Sequence, residues 1–145
     1  MQTIHDNATV FTVWGEPKGK ARPRVTRCGH AYTPDSTVAY ERLIQAAFLQ
    51  QTDRKKRTGA LRITVFAFFA PPKSDSRKKR MDKLCGKLKP TKKPDWDNIG
   101  KIICDALNGL AYGDDAQITD ATVIKRYADR PFVSVYIGED DGDRY

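Results

Sequence analysis

Lys93-Pro94-Asp95-Trp96-Asp97-Asn98-Ile99-Gly100-Lys101 opens a stretch that closes with Gly113-Asp114-Asp115-Ala116-Gln117-Ile118-Thr119-Asp120, and its reading decides the fold. Pro94 fixes its own φ and biases Lys93 towards an extended conformation, so a helix starts after it, with Asp95 or Asp97 available to cap it. Apolar residues then fall at Ile99, Ile102, Ile103, Ala106, Leu107 and Leu110, the spacing of a helix with one buried stripe. At about 100° per residue, Asp97, Lys101 and Asp105 share the opposite face. Gly109 and Gly113 bracket the stop, Asp114-Asp115 occupy the turn beyond it, and Ile118 to Tyr127 reads as a strand.

From Asp95 to Asp120 the same stretch is a charge anomaly. Asp95, Asp97, Asp105, Asp114, Asp115 and Asp120 stand there with one cation, Lys101, whereas outside it 25 Lys and Arg face 12 acids and the chain as a whole carries +8. An acidic knot in a cationic protein repels the polyanion that the rest attracts. One economical resolution is a divalent metal held by the carboxylates and shared with a nucleic-acid phosphate. Acids at the two ends of such a helix are roughly 20 Å apart at 1.5 Å per residue. Asp115 therefore joins Asp95 and Asp97 only if the chain reverses and the next strand runs back alongside the helix. The ordinary alternatives are helix caps, a solvated Asp-Asp turn and an Asp97–Lys101 surface pair.

At 145 residues the chain is read as one domain able to bury a core. No apolar run is long enough for a membrane span, and Met1 to Asn7 lacks the pattern of a signal peptide. Cys28, Cys85 and Cys104 are odd in number and lack metal-site spacing, so they read as reduced thiols in a cytoplasmic protein.

In chain order, Thr9 to Trp14 reads as a first strand. A loop with alternating cations follows, Lys18, Lys20, Arg22 and Arg24 being candidate DNA contacts, with His30 a loop residue. Thr37 to Gln51 reads as a helix capped by Thr37, with Tyr40, Leu43, Ile44, Ala47 and Phe48 as its stripe. Leu61 to Phe69 reads as a central strand. Residues 71–93 carry ten cations and two acids, read as a mobile basic arm with one short helix around Met81, Leu84 and Leu88. Lys78, Lys79, Arg80, Lys92 and Lys93 of the arm are candidate DNA contacts; the alternative is a solvated charged excursion. Ile118–Tyr127 and Phe132–Ile137 read as a strand pair turned by residues 128–131, and Gly138 to Tyr145 as a frayed tail. The expected fold is α+β: one domain over 1–145, with a small mixed sheet of about four strands packed with two to three helices.

Lys93-Pro94-Asp95-x-Asp97-Asn98-x-x-Lys101, then Asp105-Ala106-Leu107-Asn108-Gly109, then Asp114-Asp115-x-Gln117-Ile118, resembles the signature of the RusA family of Holliday-junction resolvases. The stretch from Gly15 through Arg24, followed by Tyr32-Thr33-Pro34, resembles the family's N-terminal motif, so the likeness covers two separated regions. It implies that Asp95, Asp97 and Asp115 are metal-binding catalytic carboxylates and that Lys101 is an essential lysine. Asp105, Asp114 and Asn98 become candidate supporting residues. It also implies a homodimer, whose two equal sites suit a junction needing two opposed nicks. A bacterial or phage-infected cell is the setting by family analogy.

The expected activity is thus Mg²⁺-dependent nicking of branched DNA, in recombination and repair. Mn²⁺ would serve as a substitute, and neither a small-molecule cofactor nor a membrane is involved. Lys101 would position the nucleophile or stabilise transition-state charge. The competing readings are a non-catalytic basic nucleic-acid-binding protein, and a nuclease for forks or flaps.

Overall fold

The computed structural model describes residues 7–143. Its strands are β1 (Thr9–Trp14), β2 (Arg24–Val25), β3 (Ala31–Tyr32), β4 (Leu61–Phe69), β5 (Ile118–Tyr127) and β6 (Phe132–Glu139), and its helices are α1 (Asp35–Gln51), α2 (Arg77–Leu84) and α3 (Trp96–Leu107). β1, β6, β4 and β5 form one mixed sheet in that order, with β4–β5 parallel and the other pairs antiparallel. β2 and β3 form a separate ribbon. This is the α+β domain that the sequence predicts.

Alternation along the strands sets the layers. Phe11 and Val13 of β1, Val65 and Ala67 of β4, and Val133, Val135 and Ile137 of β6 are buried. They form one core with Tyr40, Ile44 and Phe48 of α1 and Ile99, Ile102, Ile103 and Leu107 of α3. The residues between them point to the other face. Trp14, Phe132, Phe68 and Phe66 make an aromatic row there, with successive centroids 5.3, 4.5 and 6.2 Å apart, and Trp14 is 65% exposed.

Three features of α1 and the sheet depart from the sequence reading. α1 starts at Asp35 after Pro34, so Thr37 is buried and caps nothing. Its stripe is centred on Thr37, Tyr40, Ile44, Ala47 and Phe48, and Leu43, a step of about 100° from Ile44, lies 55% exposed. β5 and β6 are not neighbours, because β4 lies between them. The turn at 128–131 spans two strand spacings, about 10 Å, and is held by Ala128 N–H donating to the Phe69 carbonyl at 2.9 Å. The parallel β4–β5 pair needs a long crossover, and that crossover contains α2 and α3.

The short helix of the basic arm is present, but Met81, Leu84 and Leu88 are exposed. The residue that docks it is Lys83, only 8% exposed. Its ammonium lies 2.6 Å from Asp75 Oδ2 and 4.9 Å above the Tyr127 ring centroid. A long aliphatic stem is buried while its charge is paired. At the C-terminus β6 continues through Glu139, and Asp140 N–H donates to the Ala60 carbonyl. Arg62 reaches Asp120 at 2.7 Å, Asp140 at 3.3 Å and Asp141 at 3.5 Å. The Thr119 hydroxyl, the Gly142 N–H and Arg62 hold the Asp140 carboxyl below the ordinary range. The predicted tail is thus tied down through Asp141, while Arg144 and Tyr145 lie outside the described residues. Among the described residues no helix is long and apolar enough to cross a membrane.

Ile44 is fully buried and its neighbour Leu43 is not. Ile44→Ala is expected to cost about 2–5 kcal/mol, and Leu43→Ala less than about 1 kcal/mol, in urea unfolding. Equal losses would contradict this placement of the helix.

Candidate active site

Burial of the α3 stripe turns Asp97, Lys101 and Asp105 away from the core. β5 runs back alongside this helix. A Cβ on Gly100 would lie 3.3 Å from Val123 Cγ2, and Lys125 Nζ donates to the carbonyl of Lys92, ahead of α3, at 2.6 Å. The reversal without which Asp115 could not approach Asp95 and Asp97 is therefore made. Gly100 accommodates a strand side chain there.

At the start of α3 the ordinary explanations for these charges are unrealised. Asp95 occupies the N-cap position, yet its side chain makes no capping hydrogen bond. Asp97 and Lys101 are exposed, and among the described residues they form no ion pair with each other. Asp105 pairs with Lys20 at 3.2 Å. Asp115 is half-buried, with its N–H donating to Asn108 Oδ1 at 3.1 Å. Burial raises the pKa of its carboxyl, as do a hydrogen bond with Asp114 and the charges of Asp114 and Asp105, while Lys101 opposes the shift.

Lys101, Asp105 and Asp114 thus all act on the Asp115 carboxyl, while Asp95 and Asp97 stand at the start of α3. Among the described residues no three His, Cys, Asp or Glu side chains are grouped to hold a metal ion. The donors are hard oxygens. Cys104 is no competitor, because burial pushes its thiol up to about 11. Such a set fits Mg²⁺, which is commonly held by one or two carboxylates, waters and substrate phosphate, and does not require an all-protein cage.

The family model described as Endodeoxyribonuclease RusA matches residues 15–138. The chain belongs to the RusA family. The match takes in the cationic loop, all three helices and the strands from β2 to β6 as far as Gly138, leaving β1 outside. The chain is also similar to a Bacillus subtilis (strain 168) protein named "Uncharacterized protein YqaN", with 38% identity over 134 residues, 89% of this chain and 94% of that one.

Within the RusA match, the loop that carries Lys18 and Lys20 lies directly on the start of α3. Lys20 N–H donates to the Asn98 carbonyl at 2.9 Å. A Cβ on residue 19 would lie 2.9 Å from Pro94 Cβ and 3.0 Å from Asn98 Cβ, so only glycine fits. Beneath the loop, Tyr40 lies against the backbone of Lys18, and burial pushes its phenol up to about 12. The loop and α3 border a groove of about 490 Å³ lined by Lys18, Lys20, Lys93 and Asp95 among others. Lys93 also lines a groove of about 340 Å³ with Lys79, Lys83, Lys89, Lys92 and Tyr127. Arg22 and Arg24 are exposed at the β2–β3 ribbon, which the sequence reading took as plain loop. Among the arm's candidates Lys92 and Lys93 are exposed, Lys78 and Lys79 have local acid partners, and Arg80 pairs with Asp129 at 2.7 Å.

Sequence reasoning missed the residues that hold the Asp114-Asp115 turn. Gln117 Oε1 accepts from the N–H groups of Gly113 and Asp114 at 2.9 and 3.1 Å. Its Nε2 donates to the carbonyls of Arg57 and Gly59 at 3.2 and 3.0 Å. With the Asp114 side chain it completes a capping box on the 3₁₀ turn Asp115–Gln117. Asp-x-x-Gln is a readable capping-box spacing, so the signal was present. Asn108 and Glu41, which partners Lys20, give no comparable local signal.

Gly19→Ala is expected to lower stability by about 1–3 kcal/mol, read as a fall in melting temperature, because two rigid Cβ neighbours must move. Gln117→Leu leaves several turn groups unpaired and is expected to cost about 1–3 kcal/mol, with faster amide exchange at Gly113 and Asp114. Unchanged exchange there would show that Gln117 does not hold the turn.

Proposed function

We propose that the protein is a Mg²⁺-dependent endonuclease that resolves four-way DNA junctions by paired symmetric nicks, in DNA recombination and repair in the cytoplasm. Membership of the RusA endodeoxyribonuclease family supports the class of reaction. The observation that carries the site is that Asp95, at a cation-lined groove, and Asp97, two residues on, are both exposed, with no ion pair or capping bond among the described residues to account for them.

Asp95, Asp97 and Asp115 would hold the metal, directly or through water. The metal would polarise the phosphate and favour a hydroxide nucleophile. Mn²⁺ would serve in its place. Lys101, beside Asp105 and Asp115, would place a positive charge where the phosphate oxygens gain charge. Gln117 and Asn108 would hold the turn that presents Asp115, and Asp114 would keep its capping role. Lys18, Arg22, Arg24, Lys79, Lys92 and Lys93 would contact phosphates and so recognise the shape of branched DNA. Two copies would supply two equal sites for opposed nicks. The aromatic row of the sheet, exposed at Trp14 and half-buried at Phe132, Phe68 and Phe66, is apolar surface of the kind that marks protein contacts.

The test is a labelled synthetic four-way junction incubated with Mg²⁺. Symmetric nicks are expected, with linear duplex left intact. Strands that stay intact in Mg²⁺ and Mn²⁺ despite tight binding would assign a non-catalytic binding module; faster cutting of forks or flaps would change the substrate. Asp97→Asn is expected to reduce nicking by about 100-fold or more while junction affinity holds or rises, since one repulsive charge is gone. Wild-type cutting by this variant would remove Asp97 from the site.

A further inference from the structure

Lys20 stands in a run of cations that reads as a phosphate-binding loop, and the structure gives it a different surrounding from its neighbours. Lys18, Arg22 and Arg24 are exposed, whereas the Lys20 side chain is only 19% exposed. Its ammonium lies 2.9 Å from Glu41 Oε2 on α1 and 3.2 Å from Asp105 Oδ2 on α3. Both partners are themselves partly buried. The backbone is fixed as well, by the Lys20–Asn98 hydrogen bond and by the absence of a side chain at Gly19.

We propose that Lys20 is a positioning residue: it clamps α1 to α3 and holds Asp105 in place on the helix that carries Asp97 and Lys101, without contacting DNA. The inference rests on the nuclease reading for its effect on cutting, but the geometry stands apart from it. One turn further along the same seam, Gln45 Nε2 donates to the Ala106 carbonyl at 3.1 Å, so the two helices are cross-linked at successive levels. Asp105 is one turn beyond Lys101 and close enough to Asp115 to influence it. A swing of Asp105 would therefore be felt by the groups around it. Burial works against the charge of Lys20, yet its bonds to Glu41 and Asp105 outweigh that and keep its pKa above the ordinary value. An ammonium with two carboxylate partners has little to gain from a phosphate that would have to displace them.

Phosphate contact and positioning predict different measurements. Junction binding is measured in metal-free buffer across a salt series for wild type, Lys20→Met, Lys18→Met and Arg24→Met, and cutting is measured in Mg²⁺ as kcat and KM. A residue on a phosphate lowers the slope of log affinity against log salt by about one when removed. Lys18→Met and Arg24→Met are expected to do so. Lys20→Met is expected to keep the wild-type slope and KM while kcat falls by about 10- to 100-fold, with Lys20→Arg recovering most of that loss. Asp105→Asn, which leaves Lys20 in place, is expected to lower kcat to a similar extent, and the double variant to be no worse than the more affected single one. A slope reduced by one in Lys20→Met, or full kcat in Asp105→Asn, overturns the proposal. Should Lys20→Met fail to fold, the Asp105→Asn result decides. If the wild-type protein cuts no junction, the nuclease reading fails, and the salt slopes still show whether Lys20 faces DNA.

Discussion

The packing of α3 against the sheet and α1 is the constraint from which the rest follows. Ile99, Ile102, Ile103, Ala106 and Leu107 are all buried, and full burial of such side chains is worth about 1.5–3 kcal/mol each for the larger ones. No surface charge interaction competes with that sum. The helix must therefore present this stripe to the core, and Asp97, Lys101 and Asp105 are carried to the outside as a consequence. Their placement needs no energy of its own. Two carboxylates with a cation between them are held in position by apolar contacts on the opposite side of the helix.

The second consequence concerns what α3 is packed against. The β4–β5 pair is parallel, so the chain between these strands has to return from one end of the sheet to the other. α2, α3 and the Asp114-Asp115 turn all lie on that return path. The basic arm and the acidic helix are thus placed side by side by one topological requirement. The arm is docked through Lys83, Asp75 and Tyr127, while Lys79, Lys89 and Lys92 line the groove that meets Lys93. Cations and carboxylates meet along a single border, where a polyanion could be held and a hard cation admitted.

Much of this was legible in the residues. The period of Ile99 to Leu107, the alternation in the strands and the isolation of the acids in a basic chain all reflect local chemistry, and the elements appear where those patterns place them. The Leu43 assignment shows where local reading stops. Spacing alone admits it to the stripe of α1, and only the angle at which the helix meets the sheet puts it outside. Lys83 is the converse case: a lysine in a run of lysines carries no sign that it is the one to be buried. Lys20 is similar, since its carboxylate partners lie 21 and 85 positions away along the chain.

By itself, then, the sequence determined the main helices and strands, the α+β class, the RusA likeness and the outward face of α3, because each depends on neighbours within a turn or two or on a spaced motif. The tertiary structure alone decided that β4 would separate β5 from β6, that Lys20 would bridge two helices, and that Lys83 would be the lysine of the arm to be buried. Those outcomes depend on which distant surfaces meet. That is governed by the summed burial of the core and by the path the chain must take around it, quantities that no short window of residues contains.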